Sequence, residues 1–205
     1  HYDEITRKTQ GDRDMIKELA EGNRTYRRFH QERSLDEKTL REFAGLTRYC
    51  ASAANKQPLK YILSCSEKGN ATIFDCLTWA GYLTDWPGPV EGERPSGYIV
   101  FLLDKDISEN PWVDHGIVAQ TILLAAREKG MGGCIFGAIN KPRLRTALSL
   151  PENLEILIVL ALGYPKEEVV IEDVGPDGSI KYYRDKNGVH HVPKRKPEDQ
   201  ILGII

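Results

Sequence analysis

The run Leu154-Glu-Ile-Leu-Ile-Val-Leu-Ala-Leu162, closed by Gly163-Tyr-Pro165, is the most apolar stretch of the chain and carries one charge in nine residues. A run of this length bounded by a turn signal reads as a buried strand. Leu59-Lys-Tyr-Ile-Leu63 and Tyr98-Ile-Val-Phe-Leu-Leu103 read as two more, and Gly132-Gly-Cys-Ile-Phe136-Gly137 as a short strand bracketed by glycines. Helical patterns fall between them, and on pattern alone strands alternating with helices suggest a doubly wound α/β sheet. The glycines do not support a dinucleotide fold. Gly130, Gly132 and Gly133 lack the third glycine of G-x-G-x-x-G, and no strand immediately precedes them. The chain also has no Walker loop, H-E-x-x-H, G-x-S-x-G or zinc-ligand cluster.

Met15, Ile16 and Leu19 mark one face of a helix running to about Glu21, ended by Gly22. Ser34-Leu-Asp-Glu37 has the form of a capping box opening a helix from about Leu35 to Tyr49. Asn70 can cap a helix through about Tyr82. Three prolines and two glycines between Asp85 and Pro95 predict a surface loop carrying an exposed Trp86. The longest helix, Asp114 to Lys129, turns Ile117, Thr121, Ile122, Leu124 and Ala125 inward, with Gly130 as its C-cap. Its low polarity suggests burial on more than one side, against the sheet or a second subunit. Asn140 followed by Pro142 opens another helix to about Leu148.

Residues 166–205 are polar, with one hairpin signal around Asn187-Gly188 and a final apolar Ile201-Leu-Gly-Ile-Ile205. Such a segment has no core of its own and is expected to pack over the main body or a neighbouring subunit. The first eleven residues are polar and expected to fray. One domain accounts for the 205 residues, which are 40% hydrophobic and 28% charged. A formal net charge of -2 argues against general nucleic-acid binding. No apolar run approaches the roughly 20 residues that span a bilayer, and no signal-peptide core is present, so the expectation is a cytoplasmic protein with no membrane contact. Cys50, Cys65, Cys76 and Cys134 are widely spaced and read as buried thiols rather than a disulfide or zinc framework.

Gly22-Asn23-Arg24-Thr25-Tyr26-Arg27-Arg28-Phe29 concentrates three guanidinium groups and a hydroxyl on a turn after the first helix. Guanidinium donates paired hydrogen bonds to phosphate and stays charged at physiological pH, which suits a phosphate clamp. A short arginine run also describes a solvated basic patch. His190 and His191 are adjacent on a predicted strand and point to opposite faces, so they do not chelate one ion together. Tyr26 and Trp86 are candidates for stacking on a ligand, or for plain packing.

Four stretches together resemble a known family. Asn23-Arg24-Thr25-Tyr-Arg27-Arg-Phe29 is similar to the R-R-S-x-R-x-F opening of nitroreductase-family flavoproteins. Ala51-Ser52-Ala53-Ala-Asn55-Lys-Gln57-Pro58 resembles that family's P-S-x-x-N-x-Q-P-W segment. The long helix ending in Gly130-Met-Gly-Gly with Ile135-Phe136-Gly137, and then Leu160-Ala-Leu-Gly163-Tyr-Pro165, follow in the family's order over roughly residues 12–196. The resemblance implies an α+β FMN-binding fold, with a central mixed sheet flanked by helices. It also implies a homodimer with two flavin sites and an extended C-terminal tail.

Arg24, Thr25 and Arg27 match positions that hold the FMN phosphate and ribityl chain. Ser52, Ala53 and Asn55 match the segment that the partner subunit lays against the flavin. Phe136 and Gly137 match backbone passing the central flavin ring, and Lys194 and Arg195 a basic pair completing the phosphate site. Asn23, Thr25, Ala51, Ala53 and Leu59 depart from the pattern. The loss of charge at Asn23 is one that Arg28 could offset. The implied activity is hydride transfer from NADH or NADPH through FMN to a small-molecule acceptor such as a nitroaromatic or quinone, by a ping-pong route, with no catalytic side chain and no metal. The alternatives are an FMN-binding sensor or carrier with little turnover, and reduction of one dedicated metabolite.

Overall fold

The computed structural model describes residues 15–205; the segment 1–11, expected to fray, lies outside the described residues. Strands β1 (Leu59–Ser64), β2 (Gly97–Asp104), β3 (Gly132–Phe136) and β4 (Leu154–Gly163) form one sheet in the order β1-β2-β4-β3. All of its pairings are antiparallel. The expected mixed central sheet is therefore corrected, as is the doubly wound pattern suggested by alternation. The reason lies in the connections: 65–96 and 137–153 each leave and re-enter the sheet at one end, whereas a parallel pair needs a crossover to the opposite end.

The helices α1 (Met15–Gly22), α2 (Glu37–Gly45), α3 (Glu67–Phe74), α4 (Asp114–Glu128) and α5 (Lys141–Ala147) complete an α+β fold. Successive residues of β2 point to opposite faces. Ile99 and Phe101 pack with Leu40 and Phe43 of α2 and Val118 and Ile122 of α4. Tyr98, Val100 and Leu102 pack on the other side with Ile73, Trp79 and Leu144. Both faces of β2 are covered, which is why its sequence is continuously apolar.

Several local expectations move. Helix α2 is capped by Asp36, whose carboxylate accepts from the Thr39 amide at 2.8 Å, in place of the Ser34 capping box. Helix α3 is capped by Ser66 and ends at Phe74; Asn70 lies inside it, donating to the Ser96 carbonyl at 3.0 Å. Burial on α4 falls on Asp114, Val118, Ala119, Ile122, Leu123 and Ala126, so of the residues expected inward only Ile122 is fully buried. Ile117, Thr121 and Leu124 form a second stripe about one residue round the helix, with Ile117 exposed. A helix apolar on two sides does not reveal from its sequence which side meets the sheet.

Trp86 is half-buried rather than exposed, edge-on to Trp79 with the Arg184 guanidinium 4.2 Å from its ring centre. Residues 166–205 hold a second sheet: β5 (Val169–Asp173) runs parallel to β7 (His190–Lys194), which pairs antiparallel with β6 (Tyr183–Arg184). β5 had no sequence signal beyond Val169-Val-Ile171. Ile201, Leu202, Ile204 and Ile205 are exposed, so the tail does not cover its own body. All four cysteines are free; Cys76 and Cys134 are buried, and Cys50 and Cys65 only partly so.

The segment 23–30 lies across the ends of β3 and β4. Thr25 bridges Gly133 and Phe29 bridges Pro165. A Cβ on Gly132 would stand 2.4 Å from the Tyr26 ring, and one on Gly163 would stand 2.8 Å from the Phe29 ring, so both approaches require glycine. Arg28 fixes the segment from outside. It meets Glu93 through two hydrogen bonds of 2.6 and 2.7 Å, and Lys166 reaches the same carboxylate at 3.1 Å.

These cations hold the Glu93 carboxyl at about 2, below its ordinary 4.5, the Arg28 hydrogen bond being the largest cause. A depressed carboxylate contributes stability above its unfolded value, which is lost as pH falls through the folded one. Glu93→Gln is expected to cost about 1 kcal/mol at neutral pH after solvent screening. In denaturant unfolding the gap to wild type should close progressively from about pH 4.5 to about pH 2; a constant gap would contradict the pairing.

Candidate active site

A cleft of about 430 Å³ opens beside segment 23–27. It is walled by Asn23, Arg24, Thr25 and Arg27, by Ile135 of β3, and by Lys194 at the end of β7. Sequence positions 24, 25, 27 and 194 thus meet in one place. Arg195 is exposed and does not line the cleft. Phe136 turns its ring into the core, 4.6 Å from Trp79, because Ile135 occupies the opposite face of the strand. Only the backbone of Phe136 and the exposed Gly137 can therefore face a ligand.

Behind the cleft the cations are braced. Arg24 donates to the Ala20 carbonyl at 2.6 Å. The Arg27 guanidinium sits 4.6 Å from the Tyr182 ring centre and 3.3 Å from Nε2 of His190. Glu167, with its side chain fully buried, accepts from the amides of Arg27 and Arg28 and from Arg184 Nη2 at 2.9 Å. Glu167, Tyr182, Arg184 and His190 were not identified from the sequence as part of the site. Their only signal was a polar tail expected to lie over the body. Arg28, considered as compensation for Asn23, is committed to Glu93 and is not available to the cleft.

Ser52, Ala53 and Asn55 are elsewhere. They sit on a tight turn at the N-terminal end of α4, where buried Asp114 accepts from the Ser52 hydroxyl at 2.6 Å and the Ala53 amide at 3.0 Å. Ala54, Asn55 and Gln57 hold positive φ values of 49°, 53° and 52°. Left-handed backbone at Ala54 and Gln57 costs of order 1–3 kcal/mol each and persists where the surroundings over-determine it. Asp114 and the Ser52 hydroxyl, which also accepts from the Gln57 amide at 2.9 Å, do so here. The cleft borders Gln120 and Leu123 on the same helix, so the two segments are offset by roughly 9–14 Å along its axis. Within one chain they do not form a single site. Among the described residues no group of His, Cys, Asp and Glu could hold a metal ion.

The cleft's chemistry suits a phosphate-bearing group. Arg24 Nε is buried and has no hydrogen-bond partner among the described residues, and Arg24, Arg27 and Lys194 are cations without an acidic partner there. Positive donors left unsatisfied in a cleft are complementary to an anion.

Burial, followed by the nearby Arg27 and Arg184 charges, pulls the His190 imidazole down to about 4 from 6.5. His190 is therefore neutral at pH 7, and Nε2 accepts from Arg27. For a base with a depressed folded value, the unfolded chain binds the extra proton, so stability is lost as pH falls from about 6.5 to about 4. His190→Gln, which keeps an acceptor and does not titrate, should flatten the pH dependence of the melting temperature across that window. An unchanged slope would assign it to other groups.

Residues 96–164, the span from the entry of β2 to the exit of β4, match the family model described as Nitroreductase family. A protein of Archaeoglobus fulgidus provisionally named NADH dehydrogenase/NAD(P)H nitroreductase is 28% identical over 149 residues, 69% of this chain and 80% of that protein. The 4-nitrobenzoate reductase of Pseudomonas putida is 25% identical over 57% of this chain, which spans about half of that protein's length (47%). The solved FMN-dependent nitroreductase of Clostridium difficile R20291 superposes with a TM-score of 0.58 at 18% identity, covering 73% of this chain and 87% of that one. The fold is that of solved nitroreductase-family proteins, and residues 96–164 of the chain are similar in sequence to that family.

Proposed function

We propose that this protein is an FMN-dependent NAD(P)H oxidoreductase that reduces a small acceptor such as a nitroaromatic or quinone. The observation that carries the reading is the cleft at Arg24, Thr25, Arg27 and Lys194, three cations with no acidic partner among the described residues and one hydroxyl, next to the end of β3. FMN, when bound, would supply the two-electron chemistry that couples NADH or NADPH to the acceptor in a ping-pong cycle.

The chain's own residues bind and orient. Arg24, Arg27 and Lys194 would neutralise the phosphate, and the Thr25 hydroxyl would donate to it. Neutral His190 and Tyr182 hold Arg27 in its rotamer, and Glu167 ties down the backbone on either side of it. The backbone around Phe136 and Gly137 would pass the central ring, and Ile135 would wall the cleft against water. The strained Ser52–Asn55 turn would come from a second copy. Its offset from the cleft within one chain supports that, as do the exposed Trp112, Val113 and Ile117 around the start of α4 and the uncovered tail. No helix among the described residues is long and apolar enough to cross a membrane. Four free thiols suit a reducing compartment, so we place the protein in the cytoplasm.

The purified protein should be yellow and release FMN on denaturation. Anaerobic NADH or NADPH should bleach it, and an added quinone or nitroarene should restore the colour. Bound flavin that does not bleach would favour a sensor or carrier. Arg24→Ala should weaken FMN binding by about ten- to a hundredfold, equivalent to 1.5–3 kcal/mol. Arg41→Ala, on an exposed pair with Glu37, should leave it unchanged. Sedimentation at micromolar concentration should give a dimer; a flavin-loaded monomer would refute the shared site.

A further inference from the structure

A separate cavity of about 450 Å³ lies at the end of the sheet where β1 leaves and β2 enters, and it shares no lining residue with the cleft beside Arg24. Arg94, Ser96 and Tyr98 line it. Ser96 is 5% exposed and Tyr98 0%, yet the Ser96 hydroxyl, the Tyr98 hydroxyl and Arg94 Nε each have no hydrogen-bond partner among the described residues. Leaving a buried donor unmade costs about 1–3 kcal/mol, and here three fall within five residues on the wall of one cavity.

The donors are held in place. The Arg94 guanidinium lies 4.3 Å from the Phe74 ring centre, with Nη1 3.0 Å from Glu91, and the Arg94 amide donates to Gln31 Oε1 at 3.0 Å. Burial pushes the Tyr98 phenol up, against the opposing effect of the Arg94 charge, so its oxygen keeps its proton and can donate. A ligand filling this wall must present acceptor oxygens, as a carboxylate does.

The rim has the opposite character. Glu67 and Glu91 are exposed lining residues, and Glu67 has no ion-pair or hydrogen-bond partner among the described residues. Two carboxylates and one guanidinium leave the cavity with an excess negative charge, which disfavours a free anion and favours a ligand carrying its own cation. Ala71, Phe74 and Pro95 add apolar lining.

We propose that this cavity binds a small zwitterion of amino-acid type, its carboxylate taken by Arg94, Ser96 and Tyr98 and its ammonium by Glu67, the carboxylate left over beside the Arg94–Glu91 pair. The flavin reading is not needed for this site, and its test involves no turnover. L-Serine, L-leucine and L-glutamate are titrated singly into the whole purified chain by calorimetry, alongside propionate and inorganic phosphate. At least one amino acid should bind with a Kd below about 1 mM. Tyr98→Phe, which keeps the core ring, and Ser96→Ala should each weaken that binding about tenfold. Glu67→Gln should weaken the amino acid while leaving the weak response to propionate unchanged. No heat from any of the three at about 10 mM, propionate or phosphate binding as tightly as the amino acids, or wild-type affinity in both donor variants would each overturn the proposal. So would a crystal grown with the bound-state amino acid that shows only fixed waters on the three donors.

Discussion

Tyr26 and Phe29 lie against the bare α-carbons of Gly132 and Gly163, and the candidate site depends on that contact. It brings the segment after α1 down onto the ends of β3 and β4, closely enough for the Tyr26 amide to reach the Gly133 carbonyl at 3.0 Å. Arg24, Thr25 and Arg27 are then fixed in direction by the sheet rather than by a mobile loop. A side chain at either glycine would force the segment away and scatter the cations before any ligand arrived. Gly132, one of the glycines that fail a dinucleotide fingerprint in the sequence, thus has a definite task in the fold that it shares with Gly163, which is to make room for an aromatic ring.

Charge is distributed around this segment by a simple division. Arg28 faces outward and is neutralised by Glu93, with Lys166 beside it. Arg27 faces inward and is braced by groups that do not cancel its charge, a neutral imidazole and an aromatic face. Glu167 spends its carboxylate on backbone amides and on Arg184, and so leaves the Arg27 guanidinium free for an external anion. Two adjacent arginines, alike in sequence, thus differ in the fold: Arg28 is paired with a carboxylate, and Arg27 lines the cleft without one.

The sequence was most legible where burial was complete. The continuous apolar runs at 98–103 and 154–162 are strands, and their character follows from helices on both faces. It was least legible where tertiary contacts decide between equal local choices. Asp36 caps α2 rather than Ser34, and α4 turns Val118 and Leu123 inward rather than Ile117 and Leu124, because either stripe is apolar. Residues 24, 25, 27 and 194 were legible as a set through their resemblance to a family pattern. Glu167, Arg184 and His190 were not, since a buried ion pair and a neutral histidine leave no periodic trace and are defined only once β5, β6 and β7 fold over the segment.

Arg27 and His190 touch across a sequence separation of 163 residues. Contacts so remote in the chain are entropically slow to close and form late. As the polypeptide leaves the ribosome, the sheet built from residues 59–163 can assemble while the cationic segment still waits for its brace. Competence to hold an anion at this place would then report that synthesis has passed residue 190, so a chain stopped short of that point would carry a finished core and an unsupported clamp.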